Sequence, residues 1–174
     1  MSYKHELDNR GSSEIGTKSE RKFMGVASKR GFNTFKSTKH ENKILGIDVW
    51  LEKDKIKKGF DVKARKKLSA SDKNCNDEWT LVEYRNEWGY DGWLLKKANY
   101  IAFEKETCFL VVDRVSLFDL CESLINKEKE YAKRSKDSKY IFYNRKKQEL
   151  TALIKTSDIL KLKRCEKWNK NFET

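Results

Sequence analysis

The chain has 174 residues, 37% of them hydrophobic and 38% charged, and a net charge of +12. That length fits one domain around one core, and aromatics at 12%, gathered in runs such as Ile44 to Leu51 and Phe109 to Val112, exclude a solvated disordered chain. No run approaches the roughly 18 apolar residues of a membrane span, and the first residues, with Lys4, His5, Glu6 and Asp8, lack the apolar stretch of a secretion signal, so a cytoplasmic protein is expected.

In chain order, residues 1–16 are polar and rich in Ser and Gly, the composition of a flexible arm, and one domain is expected over 17–174. Thr17 or Ser19 can cap a helix over 18–30, whose Phe23, Val26 and Ala27 fall at i, i+3 and i+4 and whose end is marked by Gly31. Three short runs follow, Phe32 to Phe35, Ile44 to Leu51 and Lys58 to Ala64, and read as a meander of strands. Trp79 to Tyr84 alternates as a strand, and Gly89 with Gly92 marks a turn carrying Trp88, Tyr90 and Trp93. Tyr100 to Phe103 and Cys108 to Val112 form a hairpin pattern, and Val115 to Asn126 has helical spacing. Lys127 to Ser138 reads either as an extension of that helix or as a basic loop. Tyr140 to Tyr143 reads as a strand, and Leu150 to Leu162 as a strand with a short helix.

Four widely separated cysteines lack zinc-site spacing and are expected as free thiols. Two histidines, His5 and His40, are too few for most histidine-based hydrolytic sites. The positive charge is concentrated in two segments, Lys55 to Lys67 and Lys127 to Lys147, at +6 each, while the rest of the chain balances 23 basic against 23 acidic residues. Charge gathered in this way suits a polyanion, because each neutralised phosphate releases counterions.

The chemistry-bearing pattern lies between Glu20 and Lys63. Asp48 ends the apolar ascent Ile44-Leu45-Gly46-Ile47, and Asp61-Val62-Lys63 lies on the next apolar run. Side chains alternate faces along a strand, so Asp61 and Lys63 share one face, and antiparallel pairing through the turn at 52–57 can bring Asp48 beside Asp61. Two carboxylates on one wall make a hard oxygen site for Mg²⁺ or Mn²⁺, beside which Lys63 can orient or deprotonate a water or stabilise charge at phosphorus. Glu20 is the candidate helix acid, with Glu14 its competitor, and Glu83 is a possible fourth acid or a plain surface residue. Arg65, Lys66, Lys67, Lys96, Lys97, Lys129, Lys133 and Arg134 are the candidate phosphate contacts. The aromatics of Trp88 to Trp93, with Tyr100, can stack on bases; the other reading makes Trp93 and Tyr100 core.

These residues, Ser19-Glu20-Arg21 followed by Gly31-Phe32, then Asp48, then Asp61-x-Lys63, resemble the PD-(D/E)xK nuclease superfamily, and over the N-terminal third the archaeal-type Holliday-junction resolvases. Asp48 is preceded by Ile47 where that pattern has Pro, Asp61 stands in place of the commoner Glu, and the link from Phe32 to Asp48 is long. The resemblance implies an α/β restriction-endonuclease-like core: helix, three-stranded meander, helix and further strand, a mixed sheet flanked by helices. It implies Glu20, Asp48 and Asp61 as Mg²⁺ ligands (Mn²⁺ as a substitute), Lys63 as the catalytic lysine, and a DNA endonuclease leaving 5′-phosphates. DNA is favoured over RNA by that likeness alone, and branched or junction DNA would suit a homodimer. A non-catalytic nucleic-acid-binding module of the same fold and an RNA-directed nuclease are the alternatives.

Overall fold

The structure, a computed structural model, describes residues 3–69, 71–145 and 148–171. Its elements run α1 (Tyr3–Lys29), β1 (Asn33–Lys36), α2 (Lys39–Leu45), β2 (Val49–Lys53), β3 (Ile56–Lys63), β4 (Trp79–Arg85), β5 (Tyr100–Glu104), β6 (Cys108–Asp113), α3 (Arg114–Leu124), β7 (Tyr143–Arg145), β8 (Glu149–Lys155), α4 (Thr156–Ile159) and β9 (Cys165–Asn169). The class is α/β, with a mixed six-stranded sheet ordered β1-β2-β3-β5-β6-β9 and a three-stranded antiparallel sheet ordered β4-β8-β7.

The meander is present: β1 pairs antiparallel with β2, and β2 with β3 through a tight turn at Asp54 and Lys55, both at positive φ as a two-residue hairpin turn requires. The further strand, β5, lies parallel to β3. The helix expected between them is replaced by β4 and a short 3₁₀ turn, Trp93–Leu95. The hairpin β5–β6 and helix α3 fall close to their sequence-based positions.

Each face of the large sheet has its own core. Phe23 of α1, fully buried, stacks or tilts against Phe60, Phe109 and Trp168 at centroid distances of 5.5, 5.2 and 5.6 Å, and Val26 and Ala27 join it. On the opposite face, Ile101, Phe103, Leu110 and Val112 meet Val82 and Tyr84 of β4, Ala152 and Ile154 of β8, and Leu117 and Cys121 of α3. Alternation thus sends Phe60 and Val62 toward α1, and Asp61 and Lys63 toward the small sheet.

Several expectations change. The stretch expected as an arm is helical from Tyr3: glycines at 11 and 16 weaken a helix by about 1 kcal/mol each, but no proline stops it. Ser19 is therefore a sheet-facing interior position, 1% exposed, and not a cap. The run Ile44 to Leu51 is not one strand. Thr38 and Glu41 form a reciprocal capping box, Gly46 closes α2 at φ +67°, and β2 begins only at Val49. This inserted helix accounts for the long link before Asp48. Of the two readings of Lys127 to Ser138, the basic loop is the one present, since α3 ends at Leu124. The following strand starts at Tyr143, and β9 is an additional edge strand. Lys146 and Lys147, which end the second basic segment, lie outside the described residues. All four cysteines are free, as expected. Among the described residues no helix is long and apolar enough to cross a membrane.

Candidate active site

The β2–β3 register places Val49 opposite Phe60 and, one step earlier, the Asp48 N–H donates to the Phe60 carbonyl at 2.8 Å, so Asp48 faces Asp61 across the hairpin. Both carboxylates sit on the sheet face turned away from α1. Asp48 is held in place from two sides: the Val62 N–H donates to its Oδ2 at 2.8 Å, and the Asn42 side-chain amide of α2 donates to its Oδ1. Asn42 is a positioning residue that sequence reasoning missed. The signal was present in Thr38-x-x-Glu41, a capping box that opens a helix and sets Asn42 on its final turns.

Asp61 is 3% exposed, and the Lys63 Nζ lies 2.7 Å from its Oδ1. Burial drives the Asp61 carboxyl up to about 7; the Lys63 charge opposes that, and the facing Asp48 adds to it. Burial pushes the Lys63 ammonium down, but Asp61, Asp48 and, more remotely, Glu83 outweigh it and hold its pKa above the ordinary lysine value. Lys63 is thus a cation at neutral pH, which suits it to orienting a water or stabilising charge, not to removing a proton. Its Nζ lies 5.1 Å from the centre of the Trp93 ring, a cation–π contact.

Glu83 of β4 reaches the same neighbourhood. Its Oε1 accepts from the Trp93 N–H at 3.4 Å, and burial holds its carboxyl above the usual range, partly offset by Lys63. Gly92 permits the approach: a Cβ there would lie 2.4 Å from the Glu83 carbonyl oxygen, which is backbone and cannot yield. Trp93 is therefore core, whereas Trp88 and Tyr90 are 70% and 73% exposed on a turn fixed by Asn86, whose Oδ1 accepts from both of their N–H groups at 3.0 Å.

Glu20 is not brought to this cluster. It lies on α1, which packs on the other face of the sheet, and pairs with Lys36 of β1 at 3.1 Å. Among the described residues no three His, Cys, Asp or Glu side chains gather closely enough to hold one metal ion. Glu14 is exposed on the same helix. The donor set that fits a divalent ion is therefore Asp48 with Asp61: two hard oxygen ligands, one of them raised in pKa by its burial and its like-charged neighbour. Mg²⁺ is often held by one or two carboxylates, with waters and substrate phosphates completing its shell.

The candidate phosphate contacts divide. Arg65 is neutralised by Asp77 at 2.7 Å and Glu106 at 3.5 Å, and Arg134 by Asp137 at 2.7 Å. The Lys96 Nζ donates to the Lys43 carbonyl and tethers α2, a structural role. Lys66, Lys67, Lys97, Lys129 and Lys133 are exposed. Comparison with protein-family models, with curated proteins and with solved structures finds no match.

Proposed function

We propose that the chain is a Mg²⁺-dependent endonuclease that hydrolyses phosphodiester bonds in DNA, built on a restriction-endonuclease-like core. The observation that carries the reading is the facing pair Asp48 and Asp61 with Lys63 at 2.7 Å from Asp61, all on one face of a β-hairpin. Asp48 and Asp61 would hold Mg²⁺ or Mn²⁺, which when bound supplies Lewis-acid activation of a phosphoryl oxygen. Lys63, protonated, orients the attacking water and stabilises charge building on the phosphoryl oxygens. Asn42 and the Val62 N–H fix the Asp48 carboxylate, and Trp93 covers the lysine. Glu83, at the edge of the cluster, acts on the lysine as a fixed negative charge. Glu20, paired with Lys36, is left outside this machinery.

The test incubates the protein, with and without Mg²⁺ or Mn²⁺, with labelled four-way junction, linear duplex, single-stranded DNA and RNA. Asp61→Asn and Lys63→Ala should abolish metal-dependent cutting and leave binding within about threefold, and Glu20→Gln should cut within about tenfold of the parent. Loss of binding in parallel with loss of cutting would sink the assignment. A junction cut symmetrically would make a two-fold homodimer the working form.

A non-catalytic nucleic-acid-binding module is the second reading, favoured by one observation: no three acids meet among the described residues. It predicts metal-independent binding with no cutting of any of the four substrates.

A further inference from the structure

Beside the acid pair, the loop leaving β3 and the ends of β4, β5 and β8 enclose a cavity of about 90 Å³ open to solvent. One water needs about 10–15 Å³ by the same measure, so several water-sized groups fit. Lys63, Arg65, Lys66, Lys67 and Lys105 all contribute to its lining, with Glu104 the one carboxylate among them. Lys63 is committed to Asp61, Arg65 to Asp77 and Glu106, and Glu104 to Lys22 and Lys170. Lys66, Lys67 and Lys105 make no carboxylate contact among the described residues, so the lining is net positive.

Lys105 is the unusual member. It is 8% exposed, and its ammonium rests on neutral oxygens only: the Thr80 hydroxyl at 3.0 Å, the Thr156 hydroxyl at 3.1 Å and the Asp77 carbonyl at 3.4 Å. A buried ammonium ordinarily demands a carboxylate partner. Thr80 lines the cavity and its oxygen lies 2.8 Å from that of Thr156, a hydroxyl pair in which either can donate; when Thr156 donates, the Thr80 proton is free for a group in the cavity. Burial lowers the Lys105 pKa to about 8, and the nearby Asp77 opposes this, so the site is cationic at neutral pH. An entering anion would supply the counter-charge that Lys105 lacks.

We infer that this cavity is a phosphoryl-binding pocket in which Lys66 and Lys105 supply charge and the Thr80 hydroxyl supplies a hydrogen bond, seating a phosphate group next to the one that a divalent ion on Asp48 and Asp61 would hold. The pocket rests on the nuclease reading only for the polymer that delivers the phosphate; its chemistry is that of a tetrahedral oxyanion.

The experiment titrates the full chain calorimetrically with inorganic phosphate, with a 5′-phosphorylated thymidine tetranucleotide and with the same tetranucleotide lacking the terminal phosphate. Lys105→Met keeps the packing of the stem, and Lys66→Gln sits on an exposed loop and tests the pocket even if the buried substitution impairs folding. Each should weaken binding about tenfold or more, the loss expected for one charge-assisted contact. Preference for inorganic phosphate and the phosphorylated tetranucleotide would assign the pocket to a free phosphoryl end. Equal binding of both tetranucleotides, still lost in the variants, would assign it to a backbone phosphate. No binding of any probe, or affinities unchanged in both variants, overturns the inference. Phosphate binding in a chain that cuts nothing would leave the pocket standing and remove the nuclease reading, and cutting without phosphate binding would do the reverse.

Discussion

Burying Asp61 beside Asp48 makes it a liability to the fold, which the proposed metal site would explain. Its folded pKa of about 7 exceeds the unsupported value of 3.8, so between those values the native state holds a proton that the unfolded chain has released. Stability from this group is complete below about pH 4 and falls as pH rises to about 7, a total loss of at most about 4 kcal/mol. Asp61→Asn mimics the protonated form and removes the loss. Melting curves of parent and variant should coincide near about pH 4 and separate by about pH 8, with the variant the more stable. A divalent ion relieves the same repulsion, so millimolar Mg²⁺ should raise the parent's Tm at the higher pH and leave the variant's unchanged. Equal pH dependence of the two proteins would show that Asp61 is ionised without strain. The paired acids and Lys63 were legible in the sequence because strand alternation fixes their side of the sheet. Glu20 stands apart from them because helical spacing identifies which face of α1 is buried but not which face of the sheet it covers.

Among the elements, α1 is tied to the sheet through a buried carboxylate as well as by its apolar face. The Glu104 carboxylate of β5, buried, accepts from the Lys22 ammonium of α1 at 2.7 Å and from Lys170 beyond β9 at 2.9 Å. Burial raises its pKa, but these two cations and Ser19 overcome that and bring it to about 2 from 4.5. This stability is present above about pH 4.5 and is lost as pH falls toward about 2, up to about 3 kcal/mol in all. Glu104→Gln should therefore lower denaturant stability at neutral pH, and the two proteins should converge in acid. A constant gap across the range would assign the loss to packing alone. The elements readable from sequence were those with local patterns: the buried face of α1, the β5–β6 hairpin and α3. The segment before β2 was misread because Ile44 and Leu45 continue visually into Ile47 and Val49, although Gly46 separates a capped helix turn from a strand. The edge strand β9 was missed because one buried residue, Trp168, carries its packing and gives no alternation to read.

At the scale of the molecule, the pairing of β4 with β8 brings together segments about seventy residues apart, and no local pattern announces such a contact. Its consequence is electrostatic. Ser135, in the second basic segment, lines the same cavity as the residues Lys63 to Leu68 that end the first, and Lys139 lies 4.7 Å over the ring of Trp79 in that wall. Two charge clusters distant in sequence therefore meet at one cavity, which Lys63 joins to Asp61, and a polyanion following that surface would pass the acid pair. Lys129 and Lys133 belong to the same basic segment as Ser135, both exposed and without a carboxylate contact among the described residues. If both meet phosphates, Lys129→Ala with Lys133→Ala should reduce the slope of log K against log salt by about 2 on duplex DNA, and weaken binding to all sequences alike. Cutting of bound substrate should keep its rate, because neither lysine touches the acid pair. An unchanged slope would confine the nucleic-acid path to the loop after β3. Weaker binding with an unchanged slope would mean that the two substitutions act through the fold of the basic loop and not through phosphate contacts.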